Sequence, residues 1–282
     1  MTIRVLTHSD AAALEAFLVQ HRDSSMFLRS NARRAGLDYH GQAYQAQYAA
    51  AFHGGSIVAV AAHGWNGMIL VQAPEQTEAV ARACVAESSR KVTGFSGPLE
   101  QVRRARAALE LSEAPAAAIL DDRLYALDLS ELVVPSDLST GTVACRAPEP
   151  EEREPMLAWR LAYDIEILGA VDSEEQRARG AGFYDSRIAE GSAWVAVVNG
   201  APVSFSAFNA SLPDIVQLGG IYTPPELRGR GYAKCAVAAS LLAARERGVS
   251  RAVLFTQNPS AARSYEAVGF RALGDYGLVL LR

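Results

Sequence analysis

The second half of this chain has no histidine, since all five histidines of the 282-residue sequence lie at or before His63. Histidine is the side chain that most often accepts a proton in catalysis near neutral pH. Any proton acceptor in the second half must therefore be a carboxylate, a chain of water molecules or the chain terminus.

Cysteine is also scarce. Cys84, Cys145 and Cys235 are odd in number and far apart in the sequence. None of their spacings is typical of a metal site, and disulfides are rare in the cytoplasm. We therefore expect reduced thiols in a cytoplasmic protein, and no bound metal.

Long apolar runs and an excess of charge of one sign are missing as well. No apolar stretch approaches the roughly 20 residues that span a bilayer. The first ten residues have no cationic region followed by an apolar one, so we expect no signal peptide. The net charge of −4 gives no reason to expect nucleic acid or an anionic membrane as a partner.

What is present is an ordinary globular composition, with 50% hydrophobic and 21% charged residues. A chain of 282 residues is longer than a typical single domain, so two domains are expected. Residues 134–141, with the sequence VPSDLSTG, are rich in turn formers and lack apolar periodicity. We predict a first domain over residues 1–135 and a second over residues 141–282.

The second half predicts a mixed α/β sheet with the order β-α-α-β-β-β-α-β-α-β-β. Its clearest local signal is Asn199-Gly200 between two apolar runs, a pair typical of a tight hairpin. A strand from Ile215 to Thr223 precedes a long helix from about Gly229 to Arg247. The first half predicts a fainter version of the same order, which indicates two similar domains with largely antiparallel sheets flanked by helices.

One strand-to-helix junction concentrates the candidate chemistry. Residues 221–233 read IYTPPELRGRGYA, which places Arg-x-x-Gly-x-Ala between a strand and a long helix. Glycines let the backbone approach a ligand closely, and the first turn of a helix has unpaired N–H groups that hold phosphate oxygens. Arg228 and Arg230 add donors for a diphosphate. A tight connection with surface arginines would explain a bare motif equally well.

The surrounding sequence favours the ligand-binding interpretation. The junction resembles motif A of the GNAT superfamily of acetyl-CoA-dependent N-acyltransferases, Gln/Arg-x-x-Gly-x-Gly/Ala. Residues 258–270, NPSAARSYEAVGF, resemble motif B of that family. The resemblance covers roughly residues 141–282 and implies an acetyl-CoA-dependent N-acetyltransferase with acetyl-CoA as cosubstrate.

The resemblance also implies roles for individual residues. The strand backbone at Ile221, Tyr222 and Thr223 would pair with the pantetheine arm. Residues Arg228, Gly229, Arg230, Gly231, Tyr232 and Ala233 would hold the pyrophosphate. Asn258, Ala261 and Ala262 would line the opposite side of the cofactor. Tyr265 would be the general acid that protonates the departing thiolate, because expulsion of a thiolate is helped by a proton donor near the sulfur.

The general base is less well defined. Trp159, Tyr163 and Glu166 share one helical face, and in the family this region covers the acceptor side. Glu166 is therefore a candidate for binding or deprotonating an amine, with Asp164, Glu226 and the carboxylate of Arg282 as weaker candidates. Most acidic helix residues are simply solvated.

The corresponding junction of the first half has no glycine. Residues 71–78 read VQAPEQTE, and Glu75 and Glu78 lie at the helix start. Carboxylates there satisfy the helix dipole themselves and would repel a diphosphate. We expect the first domain to be a degenerate GNAT-like domain that does not bind CoA in the usual way.

These observations predict an N-acetyltransferase that acts on a primary amine of a small molecule or peptide. The alternatives are a non-catalytic acyl-CoA-binding module and a regulatory protein in which the paired domains form a surface. The sequence does not identify the acceptor amine or the acyl length, and it is compatible with a monomer or a homodimer.

Overall fold

The structure, a computed structural model, describes residues 1–86, 88 and 90–282. The chain forms two compact units, one of residues 1–124 and 274–282 and one of residues 125–273. The predicted ranges differ from these units at both ends. Residues 125–135 lie in the second unit, and the last nine residues of the chain lie in the first.

The first unit contains a sheet with helices on its two faces. Its strands are β1 (Thr2–Val5), β2 (Ala46–His53), β3 (Ser56–Gly64), β4 (Met68–Gln72) and β5 (Gly94–Pro98). Its helices are α1 (Ala11–Gln20), α2 (Met26–Ala35), α3 (Thr77–Ala86) and α4 (Leu99–Ala108). Neighbouring strands from β1 to β4 are antiparallel, whereas β4 and β5 are parallel.

The second unit repeats this order of elements. Its strands are β7 (Ala144–Arg146), β8 (Ala193–Val198), β9 (Ala201–Ser211), β10 (Ile215–Tyr222) and β11 (Arg251–Thr256). Its helices are α5 (Ser136–Ser139), α6 (Arg153–Leu168), α7 (Glu174–Ala189), α8 (Tyr232–Glu246) and α9 (Pro259–Glu266). Strands β7 to β10 are antiparallel neighbours, and β10 and β11 are parallel. The predicted mixed α/β class is confirmed.

Two strands cross the boundary between the units, β6 (Ala116–Asp128) and β12 (Arg271–Leu281). Residues 276–280 of β12 pair antiparallel with β5, so the last strand of the chain completes the sheet of the first unit. Strand β6 neighbours β11. The predicted order of elements ends with two strands, but the chain after α9 forms the single strand β12.

Local sequence signals explain several boundaries. Asn199 and Gly200 have φ angles of 50° and 80°, the left-handed pair that a tight hairpin between β8 and β9 requires. Ser173 caps α7, since its hydroxyl accepts a hydrogen bond from the N–H of Gln176 at 3.1 Å. Helix α8 begins at Tyr232, slightly later than predicted, because Gly229 and Gly231 both adopt positive φ.

The second unit has apolar clusters on both faces of its sheet. Met156 and Trp159 of α6 pack with Val195 and Phe205 on one face. On the other face, residues of α8 and α9 pack with inward-facing residues of β10 and β11; they include Val216, Leu218, Val237, Leu241, Leu254, Tyr265 and Phe270. Helices α6 and α8 therefore cover opposite faces of the sheet.

Candidate active site

The strands β10 and β11 separate where the predicted cofactor strand lies. Their parallel register ends at Gln217 and Val253, although β10 continues to Tyr222 and β11 to Thr256. Along the described chain, no residue of β11 is in register with residues 218–222. This edge of β10 is therefore open to an extended ligand that carries its own amide groups.

A β-bulge lies at the beginning of the open edge. Between Gly219 and Tyr222 the register against β9 shifts by one residue, and Gly220 within the shift has a φ of 63°. A side chain at Gly219 would overlap the amide of Asn209. Bulges are over-represented next to active sites, because they change the direction of the backbone groups of one strand. Sequence reasoning missed this feature, for which the pair Gly219-Gly220 inside a predicted strand was the available signal.

After β10 the chain turns through residues 225–227 into the glycine loop. Gly229 and Gly231 have φ angles of 78° and 80°, which explains why glycine occupies both positions. In the part of the chain that the structure describes, the N–H groups of residues 229–234 have no hydrogen-bond acceptor. The next N–H, that of Cys235, donates to the carbonyl of Gly231 at 3.4 Å.

These N–H groups form a backbone cradle at the positive end of the α8 dipole, where anions bind. Arg228 and Arg230 are exposed beside it, and Lys234 contributes a further cation that sequence reasoning did not single out. The side chain of Lys234 passes close to Gly231, since a methyl group built on Gly231 would lie 2.8 Å from its Cε atom. A diphosphate fits this donor set, so the residues present suit the phosphate end of CoA.

The side chain of Arg228 is held in place by two groups. Its Nη1 and Nη2 atoms donate to the two carboxylate oxygens of Glu166 at 2.8 and 2.7 Å. Its Nε atom donates to the carbonyl of Thr223 at 2.9 Å. Arg228 is thereby fixed at the junction between β10 and the glycine loop, although both side chains of the ion pair are about two-fifths exposed, at 43% and 41%.

This contact bears on Glu166 as a candidate base. The hydrogen bonds from Arg228 lower the pKa of the Glu166 carboxyl. A carboxylate with a lowered pKa is a weaker proton acceptor. The geometry therefore favours Glu166 as the residue that positions Arg228, and its predicted role in proton transfer gains no support.

The predicted pantetheine-binding residues lie on the open segment. The carbonyl of Tyr222 accepts a hydrogen bond from the hydroxyl of Ser204 at 3.1 Å. The ring of Tyr222 lies 6.4 Å from that of Trp159 on α6. The side chain of Ile221 packs against the core cluster that contains residues of α8 and α9. Thr223 already accepts the hydrogen bond from Arg228.

The residues of the second motif lie at the start of α9. Asn258 is its N-cap, with Oδ1 accepting from the N–H groups of Ser260 at 2.8 Å and Ala261 at 3.3 Å. Ala261 and Ala262 pack against the apolar cluster that contains Tyr265. The Asn-Pro sequence thus has a clear structural role as a helix start.

Tyr265 lies almost fully buried on α9, with its ring 6.2 Å from that of Phe270 in an edge-to-face contact. Burial, with a smaller effect of Tyr163, raises the pKa of Tyr265. A tyrosine with a raised pKa keeps its proton throughout the neutral range and can donate it. Cys235, by contrast, is enclosed in the core, and burial raises the pKa of its thiol.

In the first unit, protein groups contact the backbone at the end of β4, the strand equivalent to β10. Strands β4 and β5 are in register from Met68 to Leu70, and a methyl group built on Gly97 would lie 2.5 Å from the carbonyl oxygen of Val71. The N–H of Ala73 donates to Gln101 of α4 at 2.6 Å, and the carbonyl of Ala73 accepts from Thr77 at 2.7 Å. The backbone at the end of β4 is therefore occupied by side chains of the same unit.

No helix among the described residues is long and apolar enough to cross a membrane. No group of three or more candidate ligands for a metal ion occurs in the same part of the chain.

Comparison with known proteins finds one family model that matches part of the chain. The model of the Acetyltransferase (GNAT) family matches residues 154–270. An acetyltransferase of Agrobacterium fabrum is 39% identical over 57 residues, which cover 20% of this chain and 42% of that protein. The matched segment thus spans less than half the length of the curated relative.

Solved structures match nearly the whole chain. A Drosophila protein of 12% identity has a TM-score of 0.66 and covers 99% of this chain and 98% of its own. A GCN5-related N-acetyltransferase from Sphaerobacter thermophilus has a TM-score of 0.59 at 15% identity, covering 99% and 94%. A tandem GNAT protein from the clavulanic acid biosynthesis pathway has a TM-score of 0.55 at 14% identity, covering 99% and 97%. At these identities the likeness concerns the fold alone.

The fold is thus that of GNAT proteins, some of them tandem, and residues 154–270 within it match the model of the Acetyltransferase (GNAT) family.

Proposed function

We propose that the second unit is an N-acetyltransferase that transfers an acetyl group from acetyl-CoA to a primary amine. The observation that supports this most directly is the row of unpaired N–H groups at residues 229–234 beside the open edge of β10. One element thus offers a cradle for phosphates, and the next offers backbone donors and acceptors for an amide-bearing arm. This combination suits CoA better than it suits a phosphate alone.

In this proposal the backbone of residues 228–233 holds the pyrophosphate, and the cations of Arg228, Arg230 and Lys234 neutralise part of its charge. The edge of β10 from the bulge to Tyr222 aligns the pantetheine arm. Asn258, Ala261 and Ala262 line the opposite side, at the start of α9.

Acetyl-CoA supplies an acetyl thioester, whose reaction with an amine forms an amide bond, breaks the carbon–sulfur bond and leaves CoA as a thiol. We assign Tyr265 the proton that the sulfur takes up, since the buried hydroxyl stays protonated at neutral pH. The proton lost by the amine goes to water or to a carboxylate. Glu166 is the weaker choice for that carboxylate because Arg228 already binds both of its oxygens.

We further propose that the first unit does not bind CoA. This is supported by the closed end of β4 and by Glu78 in the first turn of α3. The first unit would then support the second structurally or shape its access to the acceptor.

Titration of the purified full chain with acetyl-CoA by calorimetry tests both proposals. We expect one site per chain, and release of free CoA thiol when a panel of primary amines is added. Two sites per chain would refute the proposal for the first unit. Binding with no thiol release for any amine would favour a non-catalytic acyl-CoA-binding module, and no binding would refute the enzyme proposal.

A further inference from the structure

Arg160 on α6 directs one end of its guanidinium at the bulge of β10. We propose that Arg160 determines acceptor specificity and that the acceptor is an amine that carries a carboxylate, as amino acids and peptides do. This inference rests on the proposed acetyltransferase activity and deepens it by naming the class of the acceptor.

The guanidinium is fixed on one side by a buried carboxylate. Its Nη2 atom lies 2.7 Å from Oδ1 of Asp164, whose side chain is 1% exposed, and its Nε atom donates to Oδ2 at 3.1 Å. Gln176 of α7 donates to the same Oδ2 at 2.7 Å. The arginine is therefore oriented by a carboxylate that is itself held by a second helix.

Aromatic rings restrict the guanidinium further. Its central carbon lies 4.0 Å from the ring centroid of Phe183 and 5.2 Å from that of Tyr163. Stacking of this kind fixes the plane of an arginine and weakens its hydration. The side chain is thus preorganised, so that little rotamer entropy remains to be lost when a ligand binds.

The other end of the guanidinium is its Nη1 atom. Within the described residues, Nη1 of Arg160 has no hydrogen-bond acceptor. A methyl group built on Gly220 would lie 3.3 Å from Nη1 and 3.4 Å from the ring of Phe183. The free donors therefore point at the bulge, where the open edge of β10 begins.

Arg160 and the start of α8 lie on helices that cover opposite faces of the sheet. Helix α6 covers the face opposite to α8, whose N-terminus carries the proposed phosphate cradle. A ligand that lies along the open edge of β10 is approached from the α6 face at the bulge. Arg160 is then in a position to contact the acceptor and not the phosphates.

The charges on this part of α6 favour an anionic group on the acceptor. The two carboxylates near Arg160, Asp164 and Glu166, are both engaged by arginines. Neither is free to recognise a polycationic amine, and the arginine would repel one. A carboxylate matches the planar donor geometry of arginine, and charge-assisted hydrogen bonds of this kind are stronger than those between neutral groups.

The inference is tested with matched pairs of acceptors, each an α-amino acid and its carboxamide, in an assay for CoA thiol release by the full chain. We expect kcat/KM for the carboxylate members to exceed that for the amides by at least about tenfold, which is about 1.4 kcal/mol. Equal rates, a preference for the amides, or no transfer to any carboxylate member would overturn the inference.

Variants then test whether Arg160 causes the preference for acceptors that carry a carboxylate. Arg160→Gln should remove it through a raised KM for the acceptor, and Arg160→Lys should keep only part of it, because lysine lacks the two-pronged geometry. Arg153→Gln is the matched control, since Arg153 lies on the same helix in an exposed ion pair with Asp185. A preference that survives in Arg160→Gln would show that another group selects the carboxylate.

Calorimetry supplies a readout that does not depend on turnover. The Kd for acetyl-CoA should be unchanged within about twofold in Arg160→Gln, since among the described residues Arg160 makes no hydrogen bond or ion pair with residues 228–234. Preferred amino acids should bind the wild-type complex with CoA and bind the variant complex more weakly. If the wild-type chain fails to bind acetyl-CoA, the proposed function itself has failed, whereas transfer without carboxylate preference refutes only the role of Arg160.

Discussion

Strand β4 of the first unit and strand β10 of the second occupy equivalent positions, but the backbone groups that follow them have different partners. In the first unit, Gln101 and Thr77 bind the backbone of Ala73 just after β4, and Gly97 of β5 packs against the carbonyl of Val71. In the second unit, β10 leaves β11 after Gln217, and the N–H groups of residues 229–234 have no acceptor among the described residues. The same fold therefore hides these backbone groups in one copy and offers them to a ligand in the other.

The strand-to-helix junctions of the two units also carry charged groups of opposite sign. In the first unit the acid stands at the helix start, where Glu78 binds Arg104 of α4 through two hydrogen bonds of 2.7 and 2.8 Å. In the second unit an arginine stands in the loop, and its acid partner, Glu166, belongs to another helix. If the first unit does not bind CoA, as we propose, then exchange of a few side chains at one strand end is enough to remove cofactor binding from a repeated fold.

The largest effect is expected from a carboxylate placed in the glycine loop. Gly231→Glu combines a positive φ of 80° with a negative charge in the phosphate cradle. We expect the Kd for acetyl-CoA to rise by at least about 1,000-fold, or about 4 kcal/mol, in calorimetry. Gly41→Glu in the first unit is the matched control, because Gly41 has the same φ and open space around it. Normal binding by Gly231→Glu would remove the loop as the phosphate site.

Loss of the Tyr265 hydroxyl should affect turnover and leave binding nearly unchanged. We expect Tyr265→Phe to lower kcat by about 100-fold, as is typical when a general acid is removed. Tyr48→Phe is the control from the first unit, since Tyr48 is equally buried and donates only to the carbonyl of Leu28. That control should lose about 1 kcal/mol of stability and no activity. An unchanged kcat in Tyr265→Phe would exclude the acid role.

Removal of the Gln101 side chain, which accepts a hydrogen bond from the backbone after β4, should reduce stability without creating a second site for acetyl-CoA. Gln101→Ala leaves the N–H of Ala73 without its acceptor, and we expect unfolding to become easier by about 1–3 kcal/mol in a denaturant titration. Acetyl-CoA should still bind at one site per chain. Appearance of a second site in this variant would show that Gln101 alone keeps the first unit from binding CoA.

A smaller change is expected from the ion pair at the glycine loop. Glu166→Gln frees Arg228 from a partly exposed ion pair, so we expect KM for acetyl-CoA to change by only about threefold. The pH dependence of kcat should keep its shape if Glu166 positions Arg228 and does not accept a proton. Glu78→Gln, which breaks the corresponding pair in the first unit, should leave KM unaltered. Loss of the acidic limb of the pH profile in Glu166→Gln, together with a large drop in kcat, would restore Glu166 as the base.

The smallest effect concerns acid stability, and it should belong to the first unit. Burial and the charge of Arg90 lower the pKa of His63 to about 4, against a smaller opposing effect of the Lys91 and Gly67 backbone. The unfolded chain therefore binds this proton more readily than the folded chain. Stability should fall as the pH decreases from about 6.5 toward 4, in thermal melts at a series of pH values.

His63→Gln should flatten that decrease, whereas the second unit has no histidine to contribute one. An equally steep decrease in the variant would assign the acid sensitivity to other groups.

Much of the second unit could be predicted from the sequence, because its signals are local. The Asn199-Gly200 turn, the Ser173 cap and the loop from Arg228 to Ala233 each depend on a few neighbouring residues with distinctive backbone preferences. The family resemblance added acetyl-CoA as the implied cosubstrate and the implied roles of individual residues. Strand β2 of the first unit has no local signal of this kind.

Strand β2 reads AQYAAAFH and is buried on both faces, with Ala49 and Ala51 in one cluster and Ala46, Tyr48 and Ala50 in the other. A strand buried on both sides has no alternation of polar and apolar residues, and alanine is by itself a helix former. Only the sheet around it decides its conformation.

The tertiary structure alone decided the features that join distant residues. It placed the last strand of the chain in the first unit, brought Gln101 to Ala73 and Glu166 to Arg228, and set Arg160 against Gly220. The sequence determined the class of fold and the phosphate loop because those depend on local backbone geometry. The hydrogen bonds to the backbone after β4, and the side chains around the end of β10, depend on contacts between residues far apart in the chain. No local pattern encodes such contacts.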